Sequence, residues 1–317
     1  MQSKKILTAG EPMGLFIARE EAPLEKVENF SASVAGAEFN VAVGLSRLGH
    51  RAGYLTKLGR DPFGGRILRA MGQNGIDTSL TTQTEARPTG FMLKSRTSQG
   101  DPDIFYYRRG SAASTLSPQD VRDLPLEEWD AIHLTGILPA LSPECFEASL
   151  TLMERARKAG IPIFFDPNLR PQLWPDESVM IRQINRLAGM ADYLLPGVKE
   201  GKILCGSDDP EQIGRFYLDR GARAVIIKTG AEGARVCTRE GSFRVRAYPP
   251  RQIVDTVGAG DGFAVGVISG LMEGLDLAGA VQRGCAIGTL QIMNAGDNEG
   301  LPTRAGLEAF MAENRQA

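Results

Sequence analysis

Apolar residues follow two rhythms along the chain, and the changes of rhythm divide it. Ile6-Leu7-Thr8-Ala9-Gly10 is a short run without charge and predicts a buried first strand. From Glu11 to Ser33, Pro12, Pro23 and charged spacers interrupt short apolar pieces such as Leu15-Phe16-Ile17, which suits exposed strands and turns. After Gly36 the period lengthens. Phe39, Val41, Ala42, Leu45 and Leu48 share one helical face that ends at Gly49. A strand is predicted over 54–58 and a helix over 63–71, ended near Gly72. Within 78–112, Thr, Tyr and Phe alternate with polar residues over 89–96 and 103–108. The linking Ser98-Gln99-Gly100-Asp101-Pro102 makes this a hairpin signature.

From residue 130 the pattern settles. Short apolar runs at 132–134, 161–165, 193–195 and 224–227 alternate with helical stretches. Ser142-Pro143-Glu144 and Asp209-Pro210-Glu211 are helix starts, each a capping side chain followed by proline. Another hairpin is predicted over 236–247, with helices near 276–294 and 304–313. Strands without alternation, separated by helices, predict a parallel sheet covered on both faces. The expected fold is therefore α/β, with a core of 1–10, 36–85 and 113–317. The segments 11–35 and 86–112 are expected to form a small β-sheet lid over the strand C-termini, where such sheets bind ligands.

One stretch does not fit simple packing: Val254-Asp255-Thr256-Val257-Gly258-Ala259-Gly260-Asp261-Gly262-Phe263-Ala264. A glycine turn that opens a helix leaves backbone N–H groups unpaired at the positive end of the helix dipole, which suits phosphate. A carboxylate there repels phosphate, so Asp261 reads as a base placed beside one, and phosphoryl transfer to a hydroxyl follows. By itself the turn also fits a tight loop with an acid at a helix start. It is not a dinucleotide fingerprint, because the third glycine would fall on Phe263, and the chain has no Gly-x-x-x-x-Gly-Lys-Ser/Thr loop.

Composition narrows the partners. The net charge is −2, from 36 Lys and Arg against 38 Asp and Glu, and no basic cluster points to nucleic acid. Cys145, Cys205, Cys237 and Cys285 are scattered and His50 and His133 are the only histidines, so a zinc site is not expected. Scattered thiols, no signal-like N-terminus and no membrane-length apolar run point to a soluble cytoplasmic protein.

The segment Asp255-Thr256-Val257-Gly258-Ala259-Gly260-Asp261 resembles the C-terminal signature of the ribokinase-like (PfkB) sugar kinases. Gly36, Asn40 and Val41-Ala42 resemble that family's N-terminal block, and Leu58-Gly59-Arg60-Asp61-Pro62-Phe63-Gly64 its second segment. The nearest likeness is to kinases of 2-keto-3-deoxygluconate. It is carried by Tyr106-Tyr107-Arg108-Arg109-Gly110-Ser111-Ala112, Gly136 to Ser142, Asp166-Pro167-Asn168-Leu169-Arg170 and Gly296-Asp297-Asn298-Glu299. The resemblance implies a three-layer sandwich with a β lid. It also implies ATP and Mg2+ as cofactors, with a monovalent cation near the 255–261 loop as a further possibility.

By that likeness Asp261 is the base, and Gly258, Ala259 and Gly260 offer N–H groups to the transferred phosphoryl. Gly36, Tyr106, Tyr107, Arg108, Arg170 and Asp297 would meet the acceptor, with Arg170 suited to a carboxylate. Strict alternation shows only one of Tyr106 and Tyr107 to each face. Lys228, Thr229, Gly230, Ala231, Glu232 and Gly233 would follow the nucleotide, bordered by Asn168, Arg170 and Cys285.

Two departures from the family pattern stand out. Ala35 replaces the first of two glycines and is tolerated only at negative φ. Gly197-Val198-Lys199-Glu200 replaces an Asn-x-x-Glu motif linked to magnesium through water, leaving Glu200 as an indirect metal residue beside the extra charge of Lys199. A second sugar kinase specificity, such as for fructose, and a non-catalytic sugar-acid-binding protein are the alternatives. Self-association through the lid is expected in any of these cases.

Overall fold

The computed structural model describes residues 3–97 and 102–314. A nine-stranded sheet forms the centre. In spatial order its strands are Ser242–Val245, Ala234–Cys237, Ala224–Lys228, Tyr193–Leu194, Ile163–Asp166, Ala131–Thr135, Lys5–Ala9, Arg51–Gly59 and Thr81–Thr84. All neighbours are parallel except the two pairs at the Ser242–Val245 edge, which form the hairpin expected there.

The two-sided burial predicted from the unbroken apolar runs is visible in adjacent residues. Ile6 packs into one apolar layer with the helices Ala37–Arg47, Ala259–Met272 and Leu277–Ile292. Leu7 packs into the other with Pro143–Ala159, Glu177–Ala188 and Pro210–Leu218. Ser142 and Asp209 cap their helices as expected, accepting from Cys145 N–H at 3.1 Å and Glu211 N–H at 3.0 Å. The edge strand Thr81–Thr84 was not predicted, since TTQT has no apolar alternation. It is held by its parallel register with 56–59.

A separate four-stranded sheet runs in the order Phe30–Ala35, Met13–Ala18, Phe91–Lys94, Ile104–Tyr107. Its last two strands form the predicted hairpin, whose linking residues 98–101 lie outside the described residues. Ala35 ends a strand and keeps a negative φ, so the missing glycine causes no strain. Gly36 is the residue that needs to be glycine. Its φ is +141°, and a Cβ there would stand 2.9 Å from the Glu11 carbonyl. Among the described residues no helix is long and apolar enough to cross a membrane.

Candidate active site

The C-terminal ends of the parallel strands and the inner face of the small sheet enclose a cavity of about 420 Å³. Asp166 ends one strand and Lys228 another, while Glu11 follows the strand Lys5–Ala9 at the same edge. From the small sheet come Met13, Met92, Ile104, Tyr106 and the adjoining Arg108. The opposite wall is the glycine turn with Gly258, Gly260 and Asp261, together with Asp297.

Gly258 caps the helix Ala259–Met272 with φ +78°, and a Cβ on it would fall 2.2 Å from the Asp297 carbonyl. The first N–H groups of a helix have no partner within it, so this close turn leaves donors toward the cavity. Ala259 contributes less than expected: its N–H turns back to the Thr256 carbonyl at 3.4 Å, and its side chain does not border the cavity.

Asp261 sits in the first turn of that helix. Asn40 Nδ2 donates to its Oδ2 at 2.8 Å, and Asn40 is oriented for this by Asn298, whose Nδ2 donates to Asn40 Oδ1 at 3.0 Å. Burial pushes the Asp261 carboxyl up to about 7. The Asn40 hydrogen bond opposes the rise, Asp166 adds to it, and Arg170 and Lys228 oppose it. The ordinary aspartate value, that of a weak base for an alcohol, therefore does not apply here.

Lys228 Nζ donates to Asp166 Oδ2 at 2.6 Å and stands 3.7 Å from the place of a Gly260 Cβ, so its charge lies against the turn. Burial works against that charge, but the carboxylates of Asp166 and Glu200 outweigh it and hold the lysine above its usual value. Glu200 accepts from Gly197 N–H at 2.7 Å and Leu169 N–H at 2.9 Å. Lys199 is exposed and does not line the cavity, so the charge that the altered motif adds is solvated. Asn168 is the one non-glycine residue with positive φ among the described residues, at 37°, and it turns the chain from Asp166 toward Arg170.

The cavity's arginines differ. Arg108 is already paired, its Nε donating to Glu11 Oε2 at 2.6 Å, and Ser111 holds the other Glu11 oxygen. Arg170, among the described residues, hydrogen-bonds only the carbonyls of Leu169, at 2.9 Å, and Asn168, at 3.4 Å. Among the described residues no carboxylate lies within ion-pair distance of it.

Gly36, Tyr106, Arg108, Arg170 and Asp297 thus all line the cavity, while Tyr107 does not. It is 54 % exposed and stacks on Phe91 at 4.7 Å on the outer face, as strict alternation requires of one of the two tyrosines. Of the loop 228–233, Lys228 borders the main cavity, and Thr229 and Glu232 border a second one of about 300 Å³ with Arg235 and Arg244. Cys285 is buried in the core and borders neither, its thiol pushed up to about 12 by burial.

Several residues of the site had no role in the sequence reading. Asn40 and Asp166 stood within recognised segments, so their spacing could have marked them. Glu11 and Glu38, also at the cavity, lie in no periodic pattern that would have singled them out.

A profile described as pfkB family carbohydrate kinase matches residues 3–304. The chain is 46% identical over 310 residues to the 2-dehydro-3-deoxygluconokinase of Bacillus subtilis (strain 168), covering 98% of this chain and 96% of that one. Among solved structures it is similar to a PfkB protein from Polaromonas sp. JS666, with 43% identity, a TM-score of 0.90 and coverage of 97% and 100%. A putative ribokinase II from E. coli, solved in complex with ATP and Mg2+, superposes with a TM-score of 0.90 at 26% identity, with coverage of 98% and 100%.

Proposed function

Since the chain belongs to the pfkB family of carbohydrate kinases, we propose that it transfers the γ-phosphoryl group of ATP to the primary hydroxyl of 2-keto-3-deoxygluconate. The observation that carries this choice is Arg170. Among the described residues no carboxylate forms an ion pair with this cavity cation, and it matches the one carboxylate of such a substrate. Tyr106 and Arg108 on the small sheet and Asp297 opposite supply hydroxyl-directed contacts, with Arg108 held in place by Glu11.

The acceptor hydroxyl lies against Asp261, which takes its proton as the oxygen meets phosphorus. In the loose transition state of phosphoryl transfer most of that proton moves late. Charge on the transferred group is met by the N–H donors of the Gly258–Gly260 turn and by the Lys228 ammonium. Magnesium suits the site through water, because Glu200 places a carboxylate at the cavity for an ion that keeps several waters and binds mainly phosphate. Glu200 would hold it through water, and when bound it neutralises phosphate charge.

Arg170→Ala tests the substrate class. A charge-assisted pair of this kind is worth roughly 1.5–3 kcal/mol, so KM for the keto-deoxy acid is expected to rise about 30-fold. KM for a neutral ketose such as fructose should change by less than about threefold, since it has no carboxylate to lose. Equal effects on both sugars would defeat the acid-substrate reading and leave a neutral-sugar kinase of the same family.

The outer face of the small sheet supports self-association. Phe105 and Tyr107 are 56 % and 54 % exposed, and Tyr107 continues a stack of Phe63 and Phe91. Two copies meeting there would cover this face, so the chain of 34.2 kDa is expected to elute as a dimer by light scattering. Phe105→Asp with Tyr107→Asp should return it to the monomer mass. A monomeric parent protein rules the pairing out.

A further inference from the structure

Lys94 closes the strand Phe91–Lys94 with its side chain on the inner face of the small sheet, and it is only 4 % exposed. Its Nζ donates to Asp255 Oδ2 at 2.9 Å and stands 3.5 Å from Asp297 Oδ1. Among the described residues no other cation lies within ion-pair distance of either carboxylate. Asp255 in turn holds the glycine turn: its Oδ1 accepts from Val257 N–H at 3.0 Å and its Oδ2 from Gly296 N–H at 3.4 Å. Gln291 Nε2 ties the same two segments, donating to the carbonyls of Val257 at 3.3 Å and Gly296 at 2.7 Å. One ammonium thus joins the small sheet to both segments that shape the turn at Gly258.

Packing alone does not account for a lysine there. An apolar side chain of similar length would cover the strand end without desolvating a charge, and buried ion pairs often stabilise no better than such a replacement. What the ammonium adds is position and charge. We propose that Lys94 is a positioning residue for phosphoryl transfer, locking the small sheet to the Gly258–Gly260 turn and neutralising Asp255 and Asp297 beside the seat of the phosphates. The inference rests on the kinase reading of the site. It predicts that one substitution disturbs both ends of the reaction, because Tyr106 and Arg108 ride on the same sheet and the N–H donors on the turn.

Without the ammonium, Asp255, Asp297 and the nearby Glu299 repel one another and the incoming triphosphate. Burial already pushes the Asp297 carboxyl up, and Lys94 is the main group that opposes this. Protonation at lower pH should therefore relieve the variant but not the parent.

Lys94→Met, Lys94→Gln and Lys94→Arg in the full chain test this, the glutamine variant standing in if the methionine variant fails to fold. The neutral variants are expected to lose about 50-fold in kcat, with a several-fold higher sugar KM. The ratio of variant to parent rate should narrow as pH falls from about 8 to about 6, while Lys94→Arg stays within about fivefold of the parent. Amide exchange should quicken about tenfold or more at 91–94 and 256–261 in the neutral variants and stay parental in Lys94→Arg. A rate ratio that does not change with pH, or unchanged exchange at both segments, overturns the proposal. The kinetic arm uses whichever sugar the parent phosphorylates, and the exchange arm needs none. A parent that turns over only neutral ketoses would thus sink the acid-substrate reading without deciding Lys94.

Discussion

Asp261→Asn is expected to lower kcat about 1,000-fold, within the range that general acid–base catalysis contributes, while the fold and both substrate affinities stay near those of the parent. The change is almost isosteric, and Asn40 Nδ2 can still donate to the side-chain oxygen at position 261. What is lost is the site that receives the proton. The same residue dictates a pH profile. With its carboxyl raised by burial to about 7, Asp261 is protonated below that value and cannot act, so parental kcat/KM should fall about tenfold per unit as pH drops below about 7. Residual turnover in Asp261→Asn should lack this limb. Steady-state rates between about pH 5.5 and 9 decide both points. The assignment of the base is falsified if the variant keeps more than about a tenth of parental kcat or shows the same acid limb.

Much of this arrangement was legible in the chain, for physical reasons that differ by element. The parallel sheet announced itself because strands buried on both faces cannot alternate, and Ile6 and Leu7 indeed enter opposite layers. The glycine turn was legible because an acid beside three glycines at a helix start conflicts with mere packing, and that conflict pointed to chemistry. The strand Thr81–Thr84 was not legible, since its place is set by pairing with its neighbour and its own residues carry no apolar signal.

The site's charges were the least legible part. A sequence shows which residues are ionisable but not which are already spent on each other. Arg108 and Arg170 both read as substrate contacts, with no sign in the sequence that Arg108 is committed to Glu11 whereas, among the described residues, no acid pairs with Arg170. Lys94 and Asp255 are 161 positions apart, and Lys228 and Asp166 are 62 apart, so no local pattern could have paired them. The raised value of Asp261 likewise depends on burial beneath a sheet built from distant segments.

Those pairings give Lys228 more weight than a nucleotide-loop lysine would have alone. Lys228→Met is expected to lower kcat by about 100- to 1,000-fold, the loss usual when one preorganised charge donor leaves a developing anion. Two effects act together. The ammonium next to Gly260 no longer meets the charge on the transferred phosphoryl, and Asp166 and Glu200 are left as uncompensated carboxylates facing it. The second effect can be isolated. In Asp166→Asn/Lys228→Met one of the stranded charges is gone, so the double variant should recover part of the loss, giving a non-additive cycle. Lys228 also draws the Asp261 carboxyl down, so its removal should carry the acid limb to a pH higher than the parental one near 7. A merely structural lysine could lower activity, but it would leave the acid limb where it was. Measured kcat for the four corners of the cycle, with the pH profile of Lys228→Met, separates the cases. Additive losses with an unmoved limb would remove Lys228 from the electrostatics of the transfer and return it to nucleotide binding alone.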